Sequence, residues 1–142
     1  DDIIERLGSM GTDARSAVPL LYQAARSSKF ASVREKALFA IVDIDENDVN
    51  IVNEIALAIK HPYQEPGEQG TIYSVQRNSL IFLLGKLGKK AQTALPTLKK
   101  VMTTKLSRNE RDALKDTFEK LEFSKALERS LLASLENTTL RP

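Results

Sequence analysis

Leu7-Gly8-Ser9-Met10-Gly11-Thr12-Asp13-Ala14, followed by Ala17-Val18-Pro19, returns as Leu84-Gly85-Lys86-Leu87-Gly88-Lys89-Lys90-Ala91, followed by Ala94-Leu95-Pro96. Every paired position is 77 residues apart, and the correspondence carries Arg34 onto Arg111 and Ile44 onto Leu121. A further copy appears when Val33-Arg34 through Ile44 is laid over Gln76-Arg77 through Leu87, an offset of 43 that leaves 34 residues for the remaining unit. A period of this length fits a pair of helices that cannot bury its apolar face alone and is covered by stacking on its neighbours.

Leu, Ala, Ile and Val recur at spacings of three and four within segments separated by Gly, Pro and capping residues, which is the helical period, and no segment shows sustained strand-like alternation. The pattern predicts helices over about 1–8, 17–28, 32–44, 48–60, 72–87, 94–105, 108–122 and 125–136. Ser32 with Glu35, and Ser107 with Glu110, have the spacing of a capping box. Pro19 and Pro96 fit first turns, where a missing amide proton costs little. Leu127, Leu131, Leu132 and Leu135 share one face of the last segment, as expected of a terminal helix that covers the final repeat.

The twice-copied L-G-x-[ML]-G-x-x-A-x-x-A-[VL]-P, with the V-R or Q-R that follows it, resembles the bacterial HEAT-like repeats also found in phycobilisome lyases, over about residues 1–122. The resemblance implies an all-α fold, an α-α superhelix of about three repeats plus a C-terminal capping helix, in a single domain over residues 1–142. In this register Asp1 falls at the place of Asn78, inside a second helix, so the chain is expected to be part of a longer array. Proteins of this architecture include scaffolds, lyase subunits, a metal-dependent hydroxylase and DNA glycosylases, so the resemblance speaks to fold before function.

Catalytic chemistry is poorly supplied. His61 is the one histidine and precedes Pro62, so the His-Glu pairs of the hydroxylase branch are missing, and the chain has no Trp of the kind the glycosylase site uses. With His61 as the one histidine in view, no nucleophile, base and orienting acid are assembled from the sequence, and no Gly-rich phosphate loop follows a strand. The expectation is a protein without catalytic residues, metal or cofactor. Zero Cys excludes disulfides and thiolate sites and leaves the compartment open, with the cytoplasm as the working expectation. No apolar run approaches the roughly 20 residues that span a bilayer, so no membrane is expected among the partners. Oligomeric state is left open.

Candidate binding residues come from the second helices. Arg34, Arg77 and Arg111 recur near their starts, and the resemblance implies an inner ladder whose readings are repeat-to-repeat hydrogen bonding or a row of anion donors. No acidic partner is expected beside them, since Ser32, Ser74 and Asn109 occupy that neighbourhood. In the family pattern V-R-x-x-A-A-x-A-L-x-x-I, the third, seventh and eleventh positions form the exposed concave stripe. Here that stripe reads Glu35, Phe39, Asp43, then Asn78, Phe82, Lys86, then Asp112, Asp116, Lys120. Phe39 and Phe82 stand at equivalent positions usually held by polar residues, either as partner anchors or as part of the core.

The middle repeat carries nine extra residues between its helices, within His61-Pro62-Tyr63-Gln64-Glu65-Pro66-Gly67-Glu68-Gln69-Gly70. Such insertions map to loops, and His61, Tyr63 and Glu65 are its candidate contact residues. Charge is also uneven: residues 1–71 hold 7 basic and 12 acidic side chains, and residues 72–142 hold 14 and 7. Between Gln69 and Asn109 only basic charges occur: Arg77, Lys86, Lys89, Lys90, Lys99, Lys100, Lys105 and Arg108. The reading is a protein-interaction module or scaffold with its partner on the concave face. Binding of nucleic acid or another polyanion through the basic half is the alternative, and a lyase-associated subunit stands third.

Overall fold

Gly11 and Gly88, equivalent glycines of the two echoed motifs, have φ of +60° and +61°. This left-handed region is open to Gly at no steric cost and explains why the same residue stands at both turns. The computed structural model describes residues 2–67, 70, 72–121, 129 and 132–136. Among these the chain is mostly helical and divides into two units, Asp1–Gln76 and Arg77–Pro142. The same order of helix, 3-10 segment, helix and helix recurs in the two units at the 77-residue offset.

In the first unit α1 (Asp2–Ser9) passes through a 3-10 segment (Gly11–Ala17) into α2 (Val18–Ser27), then α3 (Ala31–Ile44) and α4 (Ile51–Lys60). α2 buries Val18, Leu21 and Tyr22, and α4 buries Ile51, Ile55, Ala56 and Ile59, each a one-face stripe at helical spacing. α3 is packed by α1, α2 and α4, and buries Ala37, Leu38, Ala40, Ile41, Val42 and Ile44 around most of its circumference. The buried Tyr22 donates its O–H to Asp48 Oδ1 at 2.6 Å, tying α2 to the turn before α4. Burial, then this bond to Asp48, push the Tyr22 phenol well above its ordinary range.

The expected helix over 72–87 is corrected at its start. Gln64–Pro66 (β1) and Ile72–Ser74 (β2) form an antiparallel hairpin, with Gln64 opposite Ser74 and Pro66 opposite Ile72. The Val75 N–H continues the ladder to the Tyr63 carbonyl at 3.1 Å. Pro62 and Pro66 cannot sit inside a helix, and Ile72 and Tyr73 favour extended backbone, so the inserted segment pairs with itself. The capping box expected at Ser32 is also corrected. α3 begins at Ala31, after Phe30, with no local side-chain cap, and Ser32 lies inside the helix. Its first amide is taken from afar: the Ala31 N–H donates to Glu65 Oε1 of the hairpin at 2.7 Å.

In the second unit α5 (Arg77–Leu87) is followed by a 3-10 segment (Gly88–Ala94), α6 (Leu95–Met102) and α7 (Arg108–Lys120). Pro19 and Pro96 stand in the first turns of α2 and α6 as expected. The capping box at Ser107 is present: Glu110 N–H donates to Ser107 Oγ at 3.2 Å, and Ser107 N–H to Glu110 Oε1 at 3.0 Å. α5 packs on α7, burying Leu80, Ile81, Leu83 and Leu84 with Leu114, Thr117 and Phe118. Of the segment expected at 125–136, positions 129 and 132–136 are helical and Leu135 is buried, and the rest, including Leu127 and Leu131, lies outside the described residues.

Candidate functional site

Where α1 crosses α3, Gly8 lies so close that a Cβ built on it would stand 3.5 Å from Ala40 Cα and Cβ and 3.5 Å from Asp43 Oδ2. At that close approach lies a groove of about 340 Å³ whose lining combines the apolar Ile4, Phe39 and Ala40 with Glu5, Glu35, Lys36 and Asp43. Glu35, Phe39 and Asp43 recur at intervals of four on α3, so one helical face carries all three. The expected stripe is thus brought together in the first unit. Phe39 is half-buried rather than fully exposed. The lining carries three carboxylates against one ammonium, and Lys36 Nζ lies 3.1 Å from Glu5 Oε1. Glu35 Oε2 accepts the Gln76 N–H at 3.4 Å.

The second unit presents Phe82 on α5, 49% exposed. Lys120 of α7 places Nζ 5.4 Å from its ring centroid and 3.0 Å from Asp116 Oδ2, so a cation is held over the ring by a carboxylate one turn earlier. Asn78 is half-buried and Lys86 exposed on the same helix.

The three arginines are engaged in the structure. Arg34 Nε donates to the Ser28 carbonyl at 2.7 Å and Arg111 Nη1 to the Leu106 carbonyl at 3.1 Å, so both tie a helix start to the loop before it. Arg77 Nε donates to Glu110, and its Nη1 lies 3.3 Å from Thr104 Oγ1. The expectation that no acidic partner stands nearby is corrected for Arg77 alone, which pairs with Glu110, whereas Arg34 and Arg111 bond backbone carbonyls. Burial works to raise the Glu110 carboxyl, but bonds from Arg77 and the Ser107 amide outweigh it and hold the group below its ordinary value.

No family model, curated protein or solved structure matches this chain. The functional reading therefore rests on the residues themselves.

The insertion is docked rather than loose. Tyr63 donates its O–H to the Lys29 carbonyl at 2.9 Å, Glu65 takes the Ala31 amide, and the Arg34 guanidinium carbon lies 3.5 Å from the Tyr63 ring centroid. His61, at the end of α4, is exposed and lines a second cleft of about 180 Å³ with Arg34 and Tyr63. Two further residues of that cleft were not among the sequence candidates. Arg26 donates from Nε and Nη2 to Glu54 Oε1 at 3.0 and 2.7 Å, and this bond raises the Arg26 pKa. Arg26 and Glu54 lie 28 positions apart on different helices, which no local spacing reveals. The exposed Lys89, Lys90, Lys99, Lys100, Lys105 and Arg108 are distributed over the 3-10 segment, α6, the loop after it and the first residue of α7. Among the described residues no cluster of three or more His, Cys, Asp or Glu is placed to hold a metal, and no helix is long and apolar enough to cross a membrane.

Proposed function

We propose that this chain is a HEAT-like repeat module that binds protein, taking a partner segment of cationic and apolar side chains in the groove of the first unit beside the exposed stripe of α3. The observation that carries the reading is the groove between α1 and α3, lined by Phe39 and Ile4 together with Glu5, Glu35 and Asp43. An aromatic ring and three carboxylates in one lining favour a Lys or Arg seated over the ring, with its apolar neighbours against Ile4 and Ala40. Lys120 over Phe82 is an intramolecular example of that contact. The interaction is one of binding, with no reaction assigned to it.

Nucleic-acid binding through the basic half is the less favoured reading, because its cations lie on several elements instead of lining one groove. The test is fluorescence anisotropy with labelled peptides that alternate Arg or Lys with Leu, on the parent chain and on Phe39→Ala and Phe82→Ala. We expect saturable binding that Phe39→Ala weakens about tenfold with the helical circular dichroism kept. Peptide affinity unchanged by either substitution, or polynucleotide affinity that falls steeply and linearly on a log-log plot against salt, overturns the proposal.

A further inference from the structure

The hairpin gives Arg34 surroundings that Arg111 does not share. Both arginines bond a carbonyl of the preceding loop, but among the described residues only Arg34 of the two also lies over an aromatic ring, its guanidinium carbon 3.5 Å from the Tyr63 centroid. Tyr63 is itself pinned by its bond to the Lys29 carbonyl, and the next strand residues are pinned by Glu65 on the Ala31 amide. The guanidinium is thus held by its contact with the ring and by Nε, and among the described residues neither Nη group has a hydrogen-bond acceptor. A planar fork held this way matches a carboxylate, which takes two parallel N–H bonds.

The cleft beside this fork has an apolar wall of Ala25, Leu38, Leu57, Ala58 and Val75. Leu57 is 45% exposed at that wall, so water reaches a large apolar side chain there. Its volume is about 180 Å³. A cavity of about 150 Å³ accommodates benzene, so the space suits one compact apolar group of that size. Charge selects the head group. Arg26 is neutralised by Glu54 at 2.7 Å, which leaves Arg34, among the described residues, as the lining cation without a carboxylate partner, and a single cation balances a monoanion better than a phosphate dianion. His61 adds a further donor at the rim.

We infer that this cleft binds a carboxylate carrying a compact apolar group, with the carboxylate on the free edge of Arg34 and the apolar group against Leu38, Leu57 and Ala58. The site is separate from the α1 and α3 groove and stands whether or not that groove binds protein. Two sources supply such a ligand: a free small aromatic or branched acid, or the C-terminal carboxylate of a polypeptide ending in Leu or Phe.

The experiment is a two-dimensional amide and side-chain NMR titration of the full chain with phenylacetate, phenylacetamide and inorganic phosphate, then with short peptides ending in Phe as the free acid and as the amide. We expect phenylacetate to give saturable shifts confined to residues around Arg34, Leu57 and Tyr63, and phenylacetamide and phosphate to bind at least tenfold more weakly. Arg34→Gln is expected to weaken phenylacetate at least tenfold, and Ala58→Leu, which fills the cleft and leaves Arg34 in place, to abolish it. If Arg34→Gln loses helical signal, Ala58→Leu decides. A free-acid peptide binding more tightly than phenylacetate identifies a chain terminus as the source, and the reverse order identifies a free acid, both supporting the site. No saturable shift with any carboxylate, equal binding of phenylacetamide or phosphate, or retained binding in Ala58→Leu overturns it.

Discussion

Glu65, on the first strand of the inserted hairpin, accepts the backbone N–H of Ala31, the first residue of α3, 34 positions earlier in the chain. An inserted segment therefore supplies the cap that α3 lacks locally.

Glu65→Ala is expected to lower stability by about 1–2 kcal/mol, the usual cost of a lost helix cap, while Glu65→Gln, which keeps an acceptor oxygen, costs a fraction of that. Urea unfolding followed by circular dichroism measures both. Equal midpoints for the parent and the Ala variant would show that the cap contributes nothing.

The Glu110 carboxyl is held below its ordinary value of 4.5, so the native state binds its proton less tightly than the unfolded chain does. Its contribution to stability is present above that ordinary value and is lost as pH falls below it toward the lowered folded value. Glu110→Gln is expected to cost roughly 1–2 kcal/mol at neutral pH. The gap between variant and parent should close as pH drops through the acid range below about 4.5. Urea midpoints taken from pH 7 to pH 3 test the sign directly, since a gap that widens in acid contradicts the assignment.

Gly8 and Gly85 are equivalent in the sequence echo but differ in their surroundings. A Cβ on Gly85 would stand 3.0 Å from Thr117 Oγ1, a fully buried hydroxyl that donates to the Ile81 carbonyl at 3.0 Å and so cannot move freely. A Cβ on Gly8 meets Ala40 at an ordinary 3.5 Å. Gly85→Ala is expected to destabilise by about 1 kcal/mol or more through overpacking. Gly8→Ala should be neutral or stabilising by up to about 0.5–1 kcal/mol through helix propensity. Thermal melts of both variants check the contrast, and Thr117→Ala in the Gly85→Ala background should recover part of the loss.

Phe118 is fully buried and Phe82 is 49% exposed. Phe118→Ala is expected to cost about 3–5 kcal/mol, and Phe82→Ala about 1 kcal/mol or less, in keeping with a surface position. Chemical denaturation separates the two, and a large loss for Phe82→Ala would place that ring in the core.

Much of this fold is legible along the chain because its determinants are local. The Leu-Gly-x-x-Gly echo marks two left-handed turns, Pro19 and Pro96 mark first turns, and Ser107 with Glu110 marks a cap, all within a few residues of the structure they create. The stripe of Glu35, Phe39 and Asp43 was readable for the same reason, since positions four apart share a helical face. Ser32 misled because a capping pattern carries no information about a competing acceptor from elsewhere, and the helix over 72–76 misled because apolar residues there fit a helix as well as a strand until a partner six to ten residues away pairs with them.

By itself, the sequence determined the helical period, the 77-residue repetition and the absence of thiol chemistry, all of which follow from residue type and spacing. Only the tertiary structure decided which groups meet: Glu65 with Ala31, Arg77 with Glu110, Arg26 with Glu54, and Arg34 with the Tyr63 ring. The physical reason is that hydrogen bonds and ring contacts act over a few ångströms, whereas these partners are separated by about thirty positions of chain. Their meeting depends on how the helices pack, and that is a property no single segment carries.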